Sequence, residues 1–206
     1  NLRLNRLGDE GGKMLLDGLA DNSTLTHLNL SCNALDHDSA QQISTIVGSS
    51  SNPLQSLDLS CNVLSEDAGR LLRDGLQHNT TLTSLDLRGN EPLWGLIESD
   101  EGRADAVESL ARGLQANDTM VKVHVDAFEL QVPVLTGRAA ALELHYPEDR
   151  RLGDVSAAIL CALVEHNPTA KSLDLSKVKA AGQLGRSIGL CLKGNTALVA
   201  VRLQES

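Results

Sequence analysis

The chain has 206 residues, 41% of them hydrophobic, with a formal net charge of −9. That acidic balance argues against nucleic acid and anionic membrane surfaces, because phosphate recognition needs a basic face. No apolar run approaches the roughly 18 residues that a membrane-crossing helix needs. Rings are almost absent: Trp94, Phe128 and Tyr146 are the only aromatics. A core of Leu, Val, Ile and Ala suits thin repeated layers better than one thick centre.

The chain opens on Asn1-Leu-Arg-Leu4-Asn5-Arg-Leu7, which aligns with Asn29 to Leu35 and so reads as the second half of a repeat. A complete copy follows as Leu25-Thr-His-Leu28-Asn-Leu30-Ser-Cys-Asn33-Ala-Leu35. It returns 29 residues later as Leu54-Gln-Ser-Leu57-Asp-Leu59-Ser-Cys-Asn62-Val-Leu64, and 28 residues after that as Leu82-Thr-Ser-Leu85-Asp-Leu87-Arg-Gly-Asn90. A fixed period in this range marks a repeat architecture. Within each copy L-x-x-L-x-L alternates apolar and polar residues, as a short half-buried strand does.

An amphipathic helix is predicted after each strand. Its inner face shows as apolar pairs four apart: Leu15/Leu19, Ile43/Val47, Leu72/Leu76, Leu110/Leu114, Leu160/Val164 and Ile188/Leu192. Residues at that spacing lie above one another on one side of a helix. Asp9, Ser65 and Asp154 suit N-terminal turns. Asn22, Asn79, Asn117, Asn167 and Asn195 suit C-terminal ones.

Regularity breaks after Asn90. Residues 91–100 lengthen the third full repeat and read as a loop or short extra turn before a helix near 101–115. The strand Met120-Val-Lys-Val123-His-Val125 has Phe128 where Asn is expected. Alternation at Phe128, Leu130, Val132 and Val134 predicts an extended convex side in place of a helix. The pattern resumes at Ala139-Ala-Ala-Leu142-Glu-Leu144, with Pro147 in the Asn position, an insert over 146–151 and a helix near 154–166. Ala170-Lys-Ser-Leu173-Asp-Leu175 follows, with Val178 in that position. Leu198-Val-Ala-Val201-Arg-Leu203 then begins a repeat and stops, so the chain reads as a piece of a longer protein.

Strands stacked in parallel sit about 4.8 Å apart, whereas packed helices need roughly 8–10 Å. A wider helical layer bends the stack, with strands on the concave side. These residues resemble the leucine-rich repeats, specifically the long subtype of ribonuclease inhibitor, the activator of the Ran GTPase and sensor-type immune receptors. The resemblance implies an α/β solenoid: a horseshoe arc with a parallel concave sheet, convex helices and one irregular repeat near 126–138. Residues 1–206 then form a single solenoid segment, cut mid-repeat at both ends. The resemblance also gives Asn5, Asn33, Asn62 and Asn90 a structural role, hydrogen-bonding neighbouring backbone at the turn. Pro147 and Val178 leave the second half to satisfy its turns otherwise.

Candidate chemistry lies in the polar residue between the last two apolar positions of each strand: Asn29, Asp58, Asp86, His124, Glu143, Asp174 and Arg202. Like charges one strand apart repel, so this acidic column is a candidate groove for a basic helix, tail or loop. A plain solvated face is the alternative. Arg88 lies on the same surface. Trp94 and Leu96 form an apolar cluster outside the repeat, suited to internal packing or to a partner contact. His124 and His145, near Asp126 and Glu143, project side by side and give a metal no converging ligands. The recurring Ser31, Ser60 and Ser176 are repeat positions and not activated nucleophiles.

The glycines at 182, 185 and 189 are spaced for packing of a small-residue helix face, not for a dinucleotide loop. Asn22, Asn79 and Asn117 match the glycosylation pattern, but the repeat accounts for all three. Cys32 and Cys61 occupy one repeat position, and Cys161 and Cys191 fall in helices. None shows C-x-x-C spacing, and buried free thiols of a reduced compartment are expected.

The expected function is a non-enzymatic protein-interaction scaffold without cofactor or metal. It is a subunit of a larger cytoplasmic assembly, cytoskeletal or ciliary by analogy, whose end faces are covered by neighbouring repeats or subunits. Two alternatives differ in class. One is a GTPase activator resembling the Ran activator, with Arg88 or Arg202 facing solvent. The other is the sensing repeats of an innate immune receptor.

Overall fold

The computed structural model describes residues 1–94, 100–126, 128–145, 151–176, 179–180 and 184–203. Two units divide it, Asn1–Val123 and His124–Ser206.

In the first unit each L-x-x-L-x-L segment supplies a three-residue strand: β1 (His27–Asn29), β2 (Ser56–Asp58) and β3 (Ser84–Asp86). Because strand side chains alternate between faces, Leu28, Leu57 and Leu85 all point inward, with 7%, 2% and 0% exposure. The strands run parallel, and register pairs Leu28 with Leu57 and Leu57 with Leu85. Before β1, the amides of Leu2 and Leu4 donate to Asn29 and Ser31. After β3, the amides of Val121 and Lys122 donate to the Thr83 carbonyl and lead into β4 (Lys122–His124).

Helices α1 (Gly8–Leu19), α2 (His37–Gly48), α3 (Glu66–His78) and α4 (Asp100–Ala116) pack each on the next. The inner faces of α2, α3 and α4 are buried as the spacing predicts, through Ile43, Val47, Leu72, Leu76, Leu110 and Leu114, whereas in α1 the expected pair Leu15 and Leu19 is only half-buried and Leu16 faces inward. Two glycines set how closely the helices approach. A Cβ at Gly75 would lie 2.8 Å from the Ser44 carbonyl oxygen, and one at Gly113 would lie 2.8 Å from the Arg73 Cα. Both contacts are with backbone and cannot swing aside. A 3-10 turn, Glu91–Trp94, precedes α4.

The chain leaves its first four rungs through a left-handed residue at one repeat position. Leu4, Cys32, Cys61 and Gly89 have φ of 63°, 58°, 55° and 66°. For a non-glycine residue that conformation costs roughly 1–2 kcal/mol, so surrounding bonds must hold it.

The second unit is less regular. The alternation from Phe128 to Val134 predicts an extended convex side. Instead β5 (Glu129–Gln131) runs into a one-turn helix α5 (Val132–Leu135). Pro133 has no amide to leave unbonded in a first helical turn, and the Thr136 amide closes the turn on the Val132 carbonyl at 2.9 Å. Phe128, Leu130, Val132 and Leu135 are buried, and Val134 is half-buried.

Next come β6 (Glu143–His145), β7 (Arg151–Leu152), α6 (Asp154–Glu165), β8 (Ser172–Leu175), β9 (Lys179–Ala180), α7 (Leu184–Gly194) and β10 (Ala200–Leu203). Strands β6, β8 and β10 form a parallel sheet with β8 in the centre, and β7 pairs in parallel with β9.

Three further expectations fail in this unit. Register pairs Leu144 with Leu173, so Leu142 is not the first inward leucine of its strand. Leu142 is 67% exposed and Leu144 is 3% exposed. An L-x-L run reads equally well two residues either way, and the period decides: Leu144 stands 29 residues before Leu173. In α7 the inner face is Leu184, Ile188 and Cys191, while Leu192 is 45% exposed. Nor do Gly185 and Gly189 form a packing face, since a Cβ at either would meet nothing within 4 Å. The insert at 146–150, Pro147, Val178 and Gly182 lie outside the described residues.

Candidate protein-binding face

The outward residue at the end of each strand is fixed by its own sequence neighbours. In Leu-Asp-Leu-Ser the carboxylate reaches the amide two residues on, a local bond that Asp and Asn form readily. Asp58 Oδ1 accepts from the Ser60 amide at 3.0 Å and from the Ser60 hydroxyl at 2.7 Å. Asp174 does the same with Ser176, at 3.0 and 2.6 Å. Asn29 Oδ1 accepts from Ser31 in the same way.

Across the sheet, Asn29 Nδ2 donates to Asp58 Oδ2 at 2.7 Å. Arg88 Nε bonds both Asp86 oxygens at 3.0 Å, and Arg88 Nη2 lies 2.5 Å from Oδ2. The hydrogen bond to Asp86 holds the Arg88 guanidinium above its ordinary pKa, against a smaller opposing effect of burial. Arg88 is therefore clamped at the strand end.

In the first unit the column reads Asn29, Asp58, Asp86, in register. Asp58 is bonded only by uncharged donors, and among the described residues it has no ion pair. In the second unit the corrected register places His145, not Glu143, beside Asp174, which is beside Arg202. Glu143 pairs with Ser172 instead. Arg202 Nη1 lies 3.6 Å from Asp174 Oδ2. His124 Nε2 lies 3.0 Å from Glu129 Oε2. Asp126 turns away to accept from the Ser156 hydroxyl at 2.8 Å. The column is therefore less acidic than the sequence suggested. The side chains of Trp94 and His145, and the whole of Leu96, lie outside the described residues.

Two asparagine ladders hold the turns behind this face. At the exit from the strand, Asn33 Oδ1 accepts from the Asn5 amide at 2.8 Å, and Asn62 Oδ1 from the Asn33 amide at 2.9 Å. Asn62 Nδ2 returns bonds to the carbonyls of Leu30 and Leu59. Asn90 continues the series, accepting from the Leu64 amide and donating to Leu59 and Leu87. Asn5 bonds the carbonyls of Leu2 and Arg3. Asn33, Asn62 and Asn90 thus each serve their own turn and the one before it, which holds the left-handed residues in place.

The second ladder was read only as helix ends. Asn79 and its counterparts are not left-handed caps; Asn79 is extended, at φ −75° and ψ 135°. Its Oδ1 accepts from Thr81 and Leu82, and its Nδ2 donates to the Val47 carbonyl of the preceding repeat. Asn117, Asn167 and Asn195 repeat the arrangement. The signal was in the sequence: an Asn stands three residues before Leu25, Leu82, Met120, Ala170 and Leu198. Asn79 and Asn117 are buried in these bonds, which leaves no accessible amide there for a glycan.

Asp9 was expected to serve its own helix. Its carboxylate instead accepts from the amides of Asp36, Asp38 and Ser39, at 2.9, 3.0 and 2.8 Å, at the start of α2. Burial pushes its pKa up, but the bonds from Ser39, Asp36 and Asp38 together outweigh that and hold it below the ordinary carboxylate value. A negative charge at a helix N-terminus is favoured by the free amides there. One repeat thereby caps the next.

The family described as Leucine Rich repeat matches residues 1–16, 21–44, 50–72 and 78–93. Among solved structures the chain is similar to leiomodin-1 actin-binding site 2, with a TM-score of 0.52 and 20% identity over 63% of this chain and 70% of that one. It also aligns with the tropomodulin C-terminal domain of Caenorhabditis elegans, at TM-score 0.46 and 15% identity over 58% of this chain and 67% of that one. No curated protein matches it in sequence. Among the described residues no helix is long and apolar enough to cross a membrane. With its period, its inward leucines and its parallel rungs the chain has the leucine-rich repeat fold, and the family match identifies leucine-rich repeats within its residues 1–93.

Proposed function

We propose that the chain is a non-enzymatic scaffold that binds another protein through the outward strand face of its first unit. A basic segment of the partner would lie along Asn29, Asp58 and Asp86. The observation that carries this reading is Asp58: its carboxylate is oriented in advance by Ser60 and Asn29 and makes no direct ion pair among the described residues, while the nearby Arg88 that feels its charge is bonded to Asp86. Preorganised charge recognises an opposite charge with less ordering cost than a mobile side chain. In the second unit Asp174 has Arg202 beside it and offers less to such a ligand. Solenoids suit this use because outward residues vary without disturbing the core.

Titration with a Lys/Arg-rich peptide tests the reading. Asp58→Asn together with Asp86→Asn keeps oxygen acceptors for Ser60 and Arg88 while removing both charges. Binding should fall at least several-fold in that variant, and with added salt in the wild type. Equal binding by the two proteins would reject the basic-segment reading.

A cytoskeletal assembly is the setting we favour, and actin is the first partner to test, because leiomodin-1 actin-binding site 2 shares this fold. Co-sedimentation with actin filaments should carry the chain into the pellet; a chain left in the supernatant would remove actin filaments from consideration. Nothing in the geometry favours the GTPase-activator reading, since Arg88 is held by Asp86 and Arg202 lies beside Asp174.

A further inference from the structure

We propose that Cys32 and Cys61 form an oxidisable dithiol, at which a low-molecular-weight disulfide is reduced and two adjacent repeats of the first unit become covalently joined. Not all four cysteines are buried, as had been expected: Cys61 is exposed and Cys32 half-exposed, whereas Cys161 and Cys191 are buried.

The geometry follows from the repeat. Asn29 pairs with Asp58 in β1 and β2, and the ladder continues as the Cys32 amide donates to the Ser60 carbonyl at 2.9 Å. Cys32 and Cys61 are therefore opposite one another, three residues beyond that pair. In-register parallel neighbours lie roughly 4.8 Å apart at Cα, inside the window of about 4.4–6.8 Å that a disulfide needs. Both residues have left-handed φ, 58° and 55°, so their side chains leave the backbone in the same direction. The Cys61 Sγ lies toward the following rung, 3.1 Å from where a Cβ on Gly89 would stand. The same thiol is hydrogen-bonded to Cys32, so closing the bond requires only a turn about the Cys61 Cα–Cβ bond, which its exposure allows.

The exchange has two steps. The Cys61 thiolate attacks one sulfur of the small disulfide, forming a mixed disulfide and releasing one thiolate. The Cys32 thiolate then attacks Cys61 Sγ and releases the second. Two protein thiols become one disulfide, the small disulfide becomes two thiols, and the two protons pass to the leaving thiolates. Burial, then the hydrogen bond with Cys32, push the Cys61 pKa up. Since the thiolate is the nucleophile, the reaction is slow at neutral pH and accelerates as pH rises. The buried pair differs in access: the hydrogen bond between them and then burial push the Cys161 pKa up, the same bond brings the Cys191 pKa down, and both thiols are enclosed.

Mass spectrometry of the full chain after incubation with glutathione disulfide tests the proposal. Both cysteines fall in one tryptic peptide, residues 14–70. In the wild type that peptide should become lighter by two hydrogens, with Cys161 and Cys191 unmodified as a sign that the fold persisted. In Cys32→Ser it should instead carry glutathione on Cys61. A wild-type peptide that stops at the glutathione adduct as often as the variant would overturn the proposal. So would two free thiols under conditions that oxidise a reference dithiol.

Discussion

The two units solve one problem differently. In the first, the turn out of each strand is held by buried asparagines that bond two repeats at once. The second has Asp149 and Val178 where the corrected register puts that Asn, and between strand and helix it forms a second small ladder, with Arg151–Leu152 paired to Lys179–Ala180. There backbone bonds backbone, where the first unit uses side chains. The corner from helix back to strand is treated alike in both units, by Asn79 and Asn117 in one and Asn167 and Asn195 in the other. A repeat can therefore exchange its device at one corner while keeping the other fixed. The need at each corner is a bonded backbone, and asparagine is one way of meeting it.

That comparison can be broken at several points. The largest of these effects is expected at Asn62, whose removal leaves amides of one turn and carbonyls of two without partners. Asn62→Ala should cost about 1–3 kcal/mol, read from urea unfolding. Asn167→Ala should cost a similar amount in the second unit, and a loss confined to Asn62 would show that the two corners are not equivalent.

Asp9→Asn should cost about 0.5–2 kcal/mol at neutral pH, as loss of a helix cap does. The pKa of Asp9 is held down in the folded chain, so its stabilising effect is complete above the ordinary carboxylate pKa. It disappears as pH falls through the lower folded value. Wild type and variant should converge in stability toward strong acid; a gap that stays constant with pH would show that the charge is not what caps α2.

The smallest effect separates two helical glycines. Gly189→Ala, in open space, should stabilise α7 by about 0.5–1 kcal/mol, whereas Gly75→Ala should destabilise through its clash with Ser44. Thermal melts that move in the same direction would contradict the packing described for the first unit.

Much of the fold was legible because leucine spacing carries two signals, the alternation of a strand and the period of the repeat. Leu28, Leu57 and Leu85 satisfy both and are interior. Leu142 satisfies only the first, so alternation placed it inside and the structure places it in water. The short helix after Gln131 was hidden because Val132 and Val134 also fit an extended reading until Pro133 is weighed. The candidate face was legible in position but not in charge. Nothing in L-D-L-R announces that Arg88 folds back on Asp86, and the slip at Leu142 put Glu143 where His145 stands. The redirected bonds of Asp9 could not be read from one repeat, since they join two.

The central claim is that a residue's place in the period decides whether it is interior. Paired unfolding measurements on Leu144→Ala and Leu142→Ala test it most directly, since two leucines of equal hydrophobicity stand two residues apart. Leu144→Ala should lose about 2–5 kcal/mol, and Leu142→Ala should stay within about 0.5 kcal/mol of wild type. Equal losses, or the larger loss at Leu142, would contradict it.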